Sequence, residues 1–349
     1  MAGTEDRTVG SGASRRRPAA SAEVARLAGV SQKTVSRVFN DEPYVSDVIR
    51  EKVLRAAREL GYRRNSAARA LNSGRSHRLG VVSLGTALYG PASLLVGIER
   101  AARPLSYALS VVNTAEGDAD GVAGAIDTLL EQGVDGIVVS EPIDVGPVRL
   151  AADVPVLALG RLPGLVAPLV ITAGGTADVP ARAATEYLLG LGHRTVHHVA
   201  GPQRWYSAQE RAEGWRDALL RAGIEPPEMM AGDWSAASGY AAGQRLSADP
   251  AVTAIFAGND DMAIGVIRAL LQAGRAVPAD VSVVGFDDVP TAAYLHPSLT
   301  TIGHSFDSLA AAGLKALVRG IEHPDETPQV DDAQFGEIIV RESTAPPRP

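Results

Sequence analysis

With 349 residues, no cysteine and a formal net charge of −7, the chain can build a small module plus a two-lobed domain, but neither disulfides nor thiolate metal sites. No signal-peptide-like run opens it and no stretch is apolar enough to span a bilayer, which predicts a cytoplasmic protein. The acidity is unevenly distributed: residues 1–76 carry 15 Lys and Arg against 8 Asp and Glu, and the remainder 18 against 32, the pattern of a phosphate-binding head on an acidic body.

Residues 1–17 offer nothing to bury and read as a disordered basic tail ending in Arg15, Arg16 and Arg17. Residues 18–64 then read as a three-helix headpiece. In SAEVARLAGVSQKTVSRVFN (21–40), Val24, Ala25 and Ala28 make one helical face, and Gly29 supplies a turn needing positive φ. Ser31 is placed to cap a second helix, in which Val35 and Val38 lie opposite Gln32, Lys33, Ser36 and Arg37. Two helices joined this way form a helix-turn-helix, whose second helix can enter a DNA major groove. A third helix is predicted over Asp47–Leu60, capped by Ser46 and covering the first two with Val48, Val53, Ala56, Ala57 and Leu60; Gly61 stops it.

NSAARALNSGRSHR (65–78) is a short Ala-rich connector, too short to be a stable isolated helix. From Leu79 to residue 345, buried strand-like runs alternate with helical patterns. LGVVS (79–83), ALSVVNT (108–114), DGIVVS (135–140) and VPVLAL (154–159) form one series; TVHHVAG (195–201), VTAIFAG (252–258), VSVVGF (281–286) and SLTTI (298–302) form a second. Helices are expected at Ser93–Ala102, Val122–Glu131 and 306–321, and a four-residue tail (346–349) closes the chain. Such alternation predicts an α/β domain of two lobes with parallel sheets, whose ligand sits at the strands' carboxyl ends between the lobes.

EVARLAGVSQKTVSRVFN, VSDVIREKVLRAARELGY, ARAL, LGLGHRTVHHVAGP, RAEGW, GDWSAASGY, AGNDDMAIGVIRAL, DVSVVGFDDVP and PSLTTI occur in this order between residues 20 and 345. Together they resemble the lactose-repressor/galactose-repressor family of bacterial transcription regulators. The resemblance implies a helix-turn-helix headpiece followed by a two-lobed, periplasmic-binding-protein-like sensor. In such regulators Gln32, Lys33 and Arg37 would face base edges, with Ser31, Thr34, Ser36 and Asn40 near phosphates; glutamine suits adenine, and lysine or arginine suits guanine. Leu71, flanked by Asn65, Ala68 and Asn72, matches a leucine that wedges into the minor groove from a hinge helix folding on DNA. Arg64-Asn65 replaces the family's usual Pro-Asn there, and Ala20 replaces a capping threonine, leaving Ser21 to cap the first helix.

For the sensor, the resemblance implies that Asp144, Ser207, Arg211, Trp234, Asn259, Asp287, His304 and Phe306 line a sugar cleft, with Leu84 and Tyr89 at its mouth. DWSAASGY (233–240) points towards a galactoside-like sugar, and His304 stands in place of an amide. AGGTADVP (173–180) lacks the acidic pattern usual at that crossover. The expected partners are a palindromic operator duplex, a small sugar and a second copy of the chain, with no membrane, metal or cofactor. A dimer is expected because the chain ends at Pro349 without the leucine-rich helix of tetrameric relatives. A nucleobase effector and a non-regulatory cytoplasmic sugar-binding protein are the alternatives. No Gly-x-Gly-x-x-Gly, Gly-Lys-Ser/Thr or His-Glu-x-x-His points to an enzyme, and His197-His198 on one strand would point to opposite faces.

Overall fold

The structure, a computed structural model, describes residues 20–39, 42–62, 74–115, 121–140, 142–144, 146, 149–174, 176–330 and 336–348. Its contacts divide into two compact units, Met1–Arg75 and Ser76–Pro349. Asn40 and the expected hinge residues Asn65, Ala68, Leu71 and Asn72 lie outside the described residues.

In the first unit, α1 (Ser21–Ala28), α2 (Gln32–Phe39) and α3 (Asp47–Glu59) enclose Val24, Ala25, Val35, Val38, Val53, Ala56 and Ala57. Gly29 takes φ 67°, and the turn closes through Val30 N–H donating to the Ala25 carbonyl at 3.0 Å. Phe39 and Tyr62 pack rings 5.4 Å apart against this core. Three expectations need correcting. Ser21 is the first helical residue rather than the cap of α1; Glu23 reaches back instead, accepting from the Ala20 N–H at 2.8 Å. At α3 the Ser46 carbonyl, not its hydroxyl, accepts the first helical bonds. Val48 is 65% exposed and Leu60 37%, so α3 covers its neighbours with a narrower stripe of Val53, Ala56 and Ala57.

The second unit holds two parallel sheets. The first pairs β1 (Arg78–Leu84), β2 (Ala108–Thr114), β3 (Gly136–Val139), β5 (Val156–Leu159) and β7 (Val170–Ala173) in the order β2-β1-β3-β5-β7. The second pairs β8 (His197–Ala200), β9 (Met230–Ala231), β10 (Ala254–Ala257), β11 (Ser282–Phe286), β12 (Thr300–Gly303) and β13 (Glu337–Ile339) in the order β13-β12-β11-β10-β8-β9; only β13 runs antiparallel. Short β4 (Leu150–Ala151) and β6 (Leu165–Val166) pair with each other. The central strands β3, β5, β10 and β11 are buried at every position, as continuous Val/Ile/Leu/Phe runs dictate when helices cover both faces.

Those helices are α4 (Tyr89–Ala102), α5 (Gly121–Glu131), α6 (Asp178–Gly190), α7 (Tyr206–Arg221), α8 (Ala236–Ser247), α9 (Asp260–Gln272) and α10 (Phe306–Glu322). α10 follows β12 in sequence yet packs on the first sheet: Leu314 and Leu317 join Leu79, Val81, Val138 and Leu157, and Asp307 pairs with Arg100 of α4 at 2.9 Å. The chain then returns to the second sheet as β13. It therefore passes between lobes three times, after β7, after β12 and after α10. The last residues are not loose: Ser343 is fully buried, its hydroxyl donating to the Val283 carbonyl at 2.6 Å, and Arg348 pairs with Asp280 at 2.6 Å. At the other end of this unit the Asp135 carboxylate accepts from the Ser76 hydroxyl and the Ser76 and His77 N–H groups at 2.7–2.9 Å, fixing the start of β1.

Candidate functional site

α2 exposes Gln32, Lys33, Ser36 and Arg37 while Val35 and Val38 hold its other face in the core. Ser31 caps it: the hydroxyl accepts from the Thr34 N–H at 3.1 Å and lies 2.9 Å from the Thr34 hydroxyl. The helix thus presents its positive end together with Ser31 and Lys33, a setting that attracts phosphate. Arg50 of α3 donates to the Val38 and Glu42 carbonyls at 3.3 and 3.2 Å, bracing the far end of α2. Arg37 Nε meets Glu42 Oε2 at 3.3 Å, both side chains more than 40% exposed.

In the second unit, the carboxyl ends of both sheets face one cleft. Tyr89 and Pro91 follow β1, Gly160 ends β5, Gly174 follows β7, Trp205 and Ser207 follow β8, Trp234 follows β9, Asn259 follows β10, Asp287 follows β11, and His304 and Phe306 follow β12. Each sheet runs 2-1-3 from one edge, β2-β1-β3 and β9-β8-β10, so the order reverses beside β1 and β8, where parallel strand ends leave a crevice.

Arg211 and Asp287 form its charged centre. Arg211 Nη2 lies 3.3 Å from Asp287 Oδ1, with side-chain exposures of 11% and 8%. Its Nη1 donates to the Gly258 carbonyl, and the guanidinium stacks 3.8 Å from the Phe286 ring centroid and 5.2 Å from that of Trp234. Burial pushes the Asp287 carboxyl up to about 6, with Arg211 pulling the other way. The Asn259 carbonyl oxygen caps α9 by accepting from Met262 N–H, and its amide donates to the Trp234 carbonyl at 3.0 Å. That asparagine therefore holds the tryptophan. A Cβ at Gly201 would collide with the Trp234 ring, so only glycine lets the indole lie against the end of β8. Burial also drives His304 down to about 3, which keeps its imidazole neutral between Phe286 and Phe306, at ring distances of 5.6 and 4.3 Å. Among the described residues, Arg211 Nε and Trp234 Nε1 are buried N–H donors with no hydrogen-bond partner.

Backbone strain gathers here. Trp234, Asp287 and Asp288 have φ of 71°, 105° and 49°, conformations that cost about 1–3 kcal/mol each for residues with a side chain. The 287–289 turn is held by several bonds. Asp287 N–H donates to the Ile302 carbonyl at 2.8 Å, Arg341 pairs with Asp288 at 2.7 Å, and the Asp260 carboxyl bonds Val289 N–H at 2.8 Å and the Thr301 hydroxyl at 2.6 Å.

Asp260 is fully buried, and desolvation lifts its pKa to about 8. The folded chain thus retains a proton that the unfolded chain releases near pH 4, so stability is lost as pH rises through that window. Asp287 completes its share near pH 6, leaving Asp260 to govern the alkaline side. His198 (about 4) and His304 act oppositely, weakening the fold as pH falls below 6.5. Asp260→Asn keeps both hydrogen bonds, its amide donating to Thr301. Between pH 6.5 and 8, urea unfolding should show the parent chain losing about 1–2 kcal/mol relative to the variant; equal slopes would refute the assignment.

Of the sequence-predicted cleft residues, Ser207, Arg211, Trp234, Asn259, Asp287, His304 and Phe306 meet in this lining, as does Tyr89. Asp144 does not: its carboxylate accepts from the Gly146 N–H at 2.8 Å and its N–H donates to the Arg204 carbonyl at 2.7 Å, beside the Ile143–Trp205 bridge. Leu84 lines a separate small void with Thr114 and Pro142. Glu210, Trp205, Leu88 and Phe286 line the cleft without having been singled out from sequence. Glu210 was within reach, since Ser207, Glu210, Arg211 and Gly214 share one helical face.

Residues 22–65 match the family model described as bacterial regulatory proteins, lacI family, and residues 185–344 match the periplasmic binding protein-like domain. The ribose operon repressor of Escherichia coli (strain K12) is 33% identical over 335 residues, covering 93% of this chain and 98% of that protein. The lactose operon repressor of the same strain is 34% identical over 304 residues, 85% of this chain and 83% of that protein. A solved structure of the lac repressor dimer bound to operator and the anti-inducer ONPF superposes with a TM-score of 0.78 at 30% identity, covering 94% of this chain and all of that one.

Proposed function

Because the chain belongs to the lacI family of bacterial regulatory proteins, we propose that it represses transcription by binding palindromic operator DNA as a homodimer and that a small neutral sugar in the cleft controls that binding. Membership of this family makes it a regulator and not an enzyme. In this reading residues 18–64 read DNA through Gln32, Lys33 and Arg37, residues 65–78 connect, and residues 79–345 sense the ligand and dimerise. The observation that carries the sugar assignment is the cleft's inventory: unpartnered donors on Arg211 and Trp234 beside aromatic faces on Phe286, Phe306 and Trp234. Ring hydroxyls accept from such donors while the C–H face of a pyranose packs on an indole. A galactoside-like ring is the form we favour. Asp233 and Ser235 of DWSAASGY cap α8, with Asp233 bonded to Ser235 and Ser235 to Ser238, and AASGY forms its first turns; of this segment, only Trp234 lines the cleft.

The sugar would act by binding one arrangement of the lobes better than the other, since only differential affinity shifts an equilibrium. Three chain passages join the lobes, so any change in their closure moves several segments together. Selection from a random duplex library should enrich a twofold-symmetric site, and a saccharide screen should yield a ligand altering operator affinity about five- to 150-fold. Failure to enrich any symmetric duplex would sink the repressor reading. Operator binding indifferent to every saccharide, but changed by a purine, would sink the sugar reading alone.

A further inference from the structure

Glu210 precedes Arg211 on α7 and plays no part in the reading above. It is 5% exposed and lines the same cleft. Its Oε2 accepts from the Ala177 N–H at 3.0 Å, at the crossover leading into α6. Its Oε1 is buried and, among the described residues, has no hydrogen-bond partner. The neighbouring guanidinium is committed to Asp287 and Gly258. Burial works against the charged form of Glu210, while the Ala177 N–H and Arg161 support it and Asp178 and Glu213 oppose it.

A buried carboxylate oxygen left without a donor is costly, and a folded protein keeps one where something else supplies the hydrogen. Among the described residues no donor reaches Oε1, and the cleft's two unpartnered N–H groups, Arg211 Nε and Trp234 Nε1, do not bond it, so the donor has to arrive with the ligand. We propose that Glu210 Oε1 accepts a hydrogen bond from a hydroxyl or ammonium group of the bound saccharide, and that this carboxylate makes the cleft select neutral and amino sugars against sugar acids. The inference rests on the saccharide reading of the cleft and adds its charge preference. Arg211 cannot reverse that preference, because Asp287 already balances it. A ligand carboxylate would meet a like charge at low dielectric, where such repulsion is strong. A hydroxyl meets an acceptor instead, and an ammonium meets an opposite charge.

The test is a thermal-shift titration of the full-length chain with galactose, glucose and ribose, each beside its acid and amino counterpart. In the parent protein at least one neutral sugar or its amino form should raise the Tm, while the matching acid binds at least about tenfold more weakly. Glu210→Gln preserves shape and the acceptor for Ala177 but offers the ligand an N–H in place of Oε1. It should lose about ten- to hundredfold in affinity for the neutral sugar and narrow the gap to the acid. An acid binding as tightly as its neutral parent would overturn the charge preference and leave the saccharide reading standing. So would unchanged affinities in the variant, because Oε1 would then not touch the ligand. If no member of the panel binds the parent chain, the saccharide reading itself fails, and this inference with it.

Discussion

Arg211→Ala is expected to abolish the response to effector while leaving operator binding intact. Ligand affinity should fall about a hundredfold or more, because the guanidinium brings an unpartnered Nε to the cleft and charge-assisted bonds are the strong ones. The substitution also strips Asp287 of its counter-charge. Breaking a buried pair from one side costs about 3–5 kcal/mol when the survivor stays charged. Asp287 has an escape: burial already holds its carboxyl at about 6, and without Arg211 it rises further. The variant should therefore be markedly less stable at pH 8 and recover much of the difference at pH 6, where the carboxyl takes a proton. Urea midpoints at the two pH values measure this, and gel shifts with and without sugar measure the response. Arg211→Lys restores charge but not the flat fork that bonds Gly258 and stacks on Phe286, so it should recover stability more than ligand affinity. A variant that still released operator at ordinary ligand concentrations would remove Arg211 from the site.

The elements most legible in the sequence were those with the least freedom. ALSVVNT coincides with β2, and the apolar runs around β3, β5, β10 and β11 could only be strands covered on both sides. Harder to see were edges. β7 alternates exposed and buried positions over four residues, and β13 is a three-residue antiparallel strand delivered after α10 has crossed to the other lobe. Neither carries a local signal strong enough to stand apart from a loop; the neighbouring strand supplies their stability. Cap chemistry was ambiguous for a related reason: Ser21 and Ser46 look like caps one residue at a time, but a reaching glutamate and a backbone carbonyl serve in their place. In the cleft, residues following strand ends were legible because parallel sheets always point those ends at the crevice. Asp144 stands apart from the lining because it lies where the chain bridges to Trp205 and its carboxylate closes a local turn. Glu210 escaped because its neighbour Arg211 accounts for the RAEGW match on its own. The acidic pattern absent from residues 173–180 has a counterpart in space: the Glu210 carboxylate meets that crossover at Ala177 from α7.

Arg37→Ala should erase most of the discrimination between operator and random duplex. A bidentate arginine–guanine contact is worth about 1–3 kcal/mol, and a twofold-symmetric dimer makes each contact twice. The expected loss is therefore about 2–6 kcal/mol of specific binding, roughly 30-fold to 25,000-fold, with a far smaller loss on non-cognate DNA. The free headpiece shows why Arg37 is available for this. Its partner Glu42 sits 3.3 Å away with both groups exposed, an arrangement worth at most about 1 kcal/mol in water. A guanine edge replaces so weak a partner easily, whereas the buried Val35 and Val38 on the opposite face keep α2 from rotating to present anything else. Glu42→Gln removes the competitor and one negative charge near the DNA backbone. It should tighten binding to operator and random duplex alike, by a few-fold and more at low salt. The two variants thus separate reading from attraction: Arg37→Ala should change the ratio of affinities, and Glu42→Gln their common level. Ligand-induced thermal shifts should be the same in both as in the parent chain. If Arg37→Ala weakened cognate and random duplexes equally, the residue would be a phosphate contact, and base reading would fall to Gln32 and Lys33 alone.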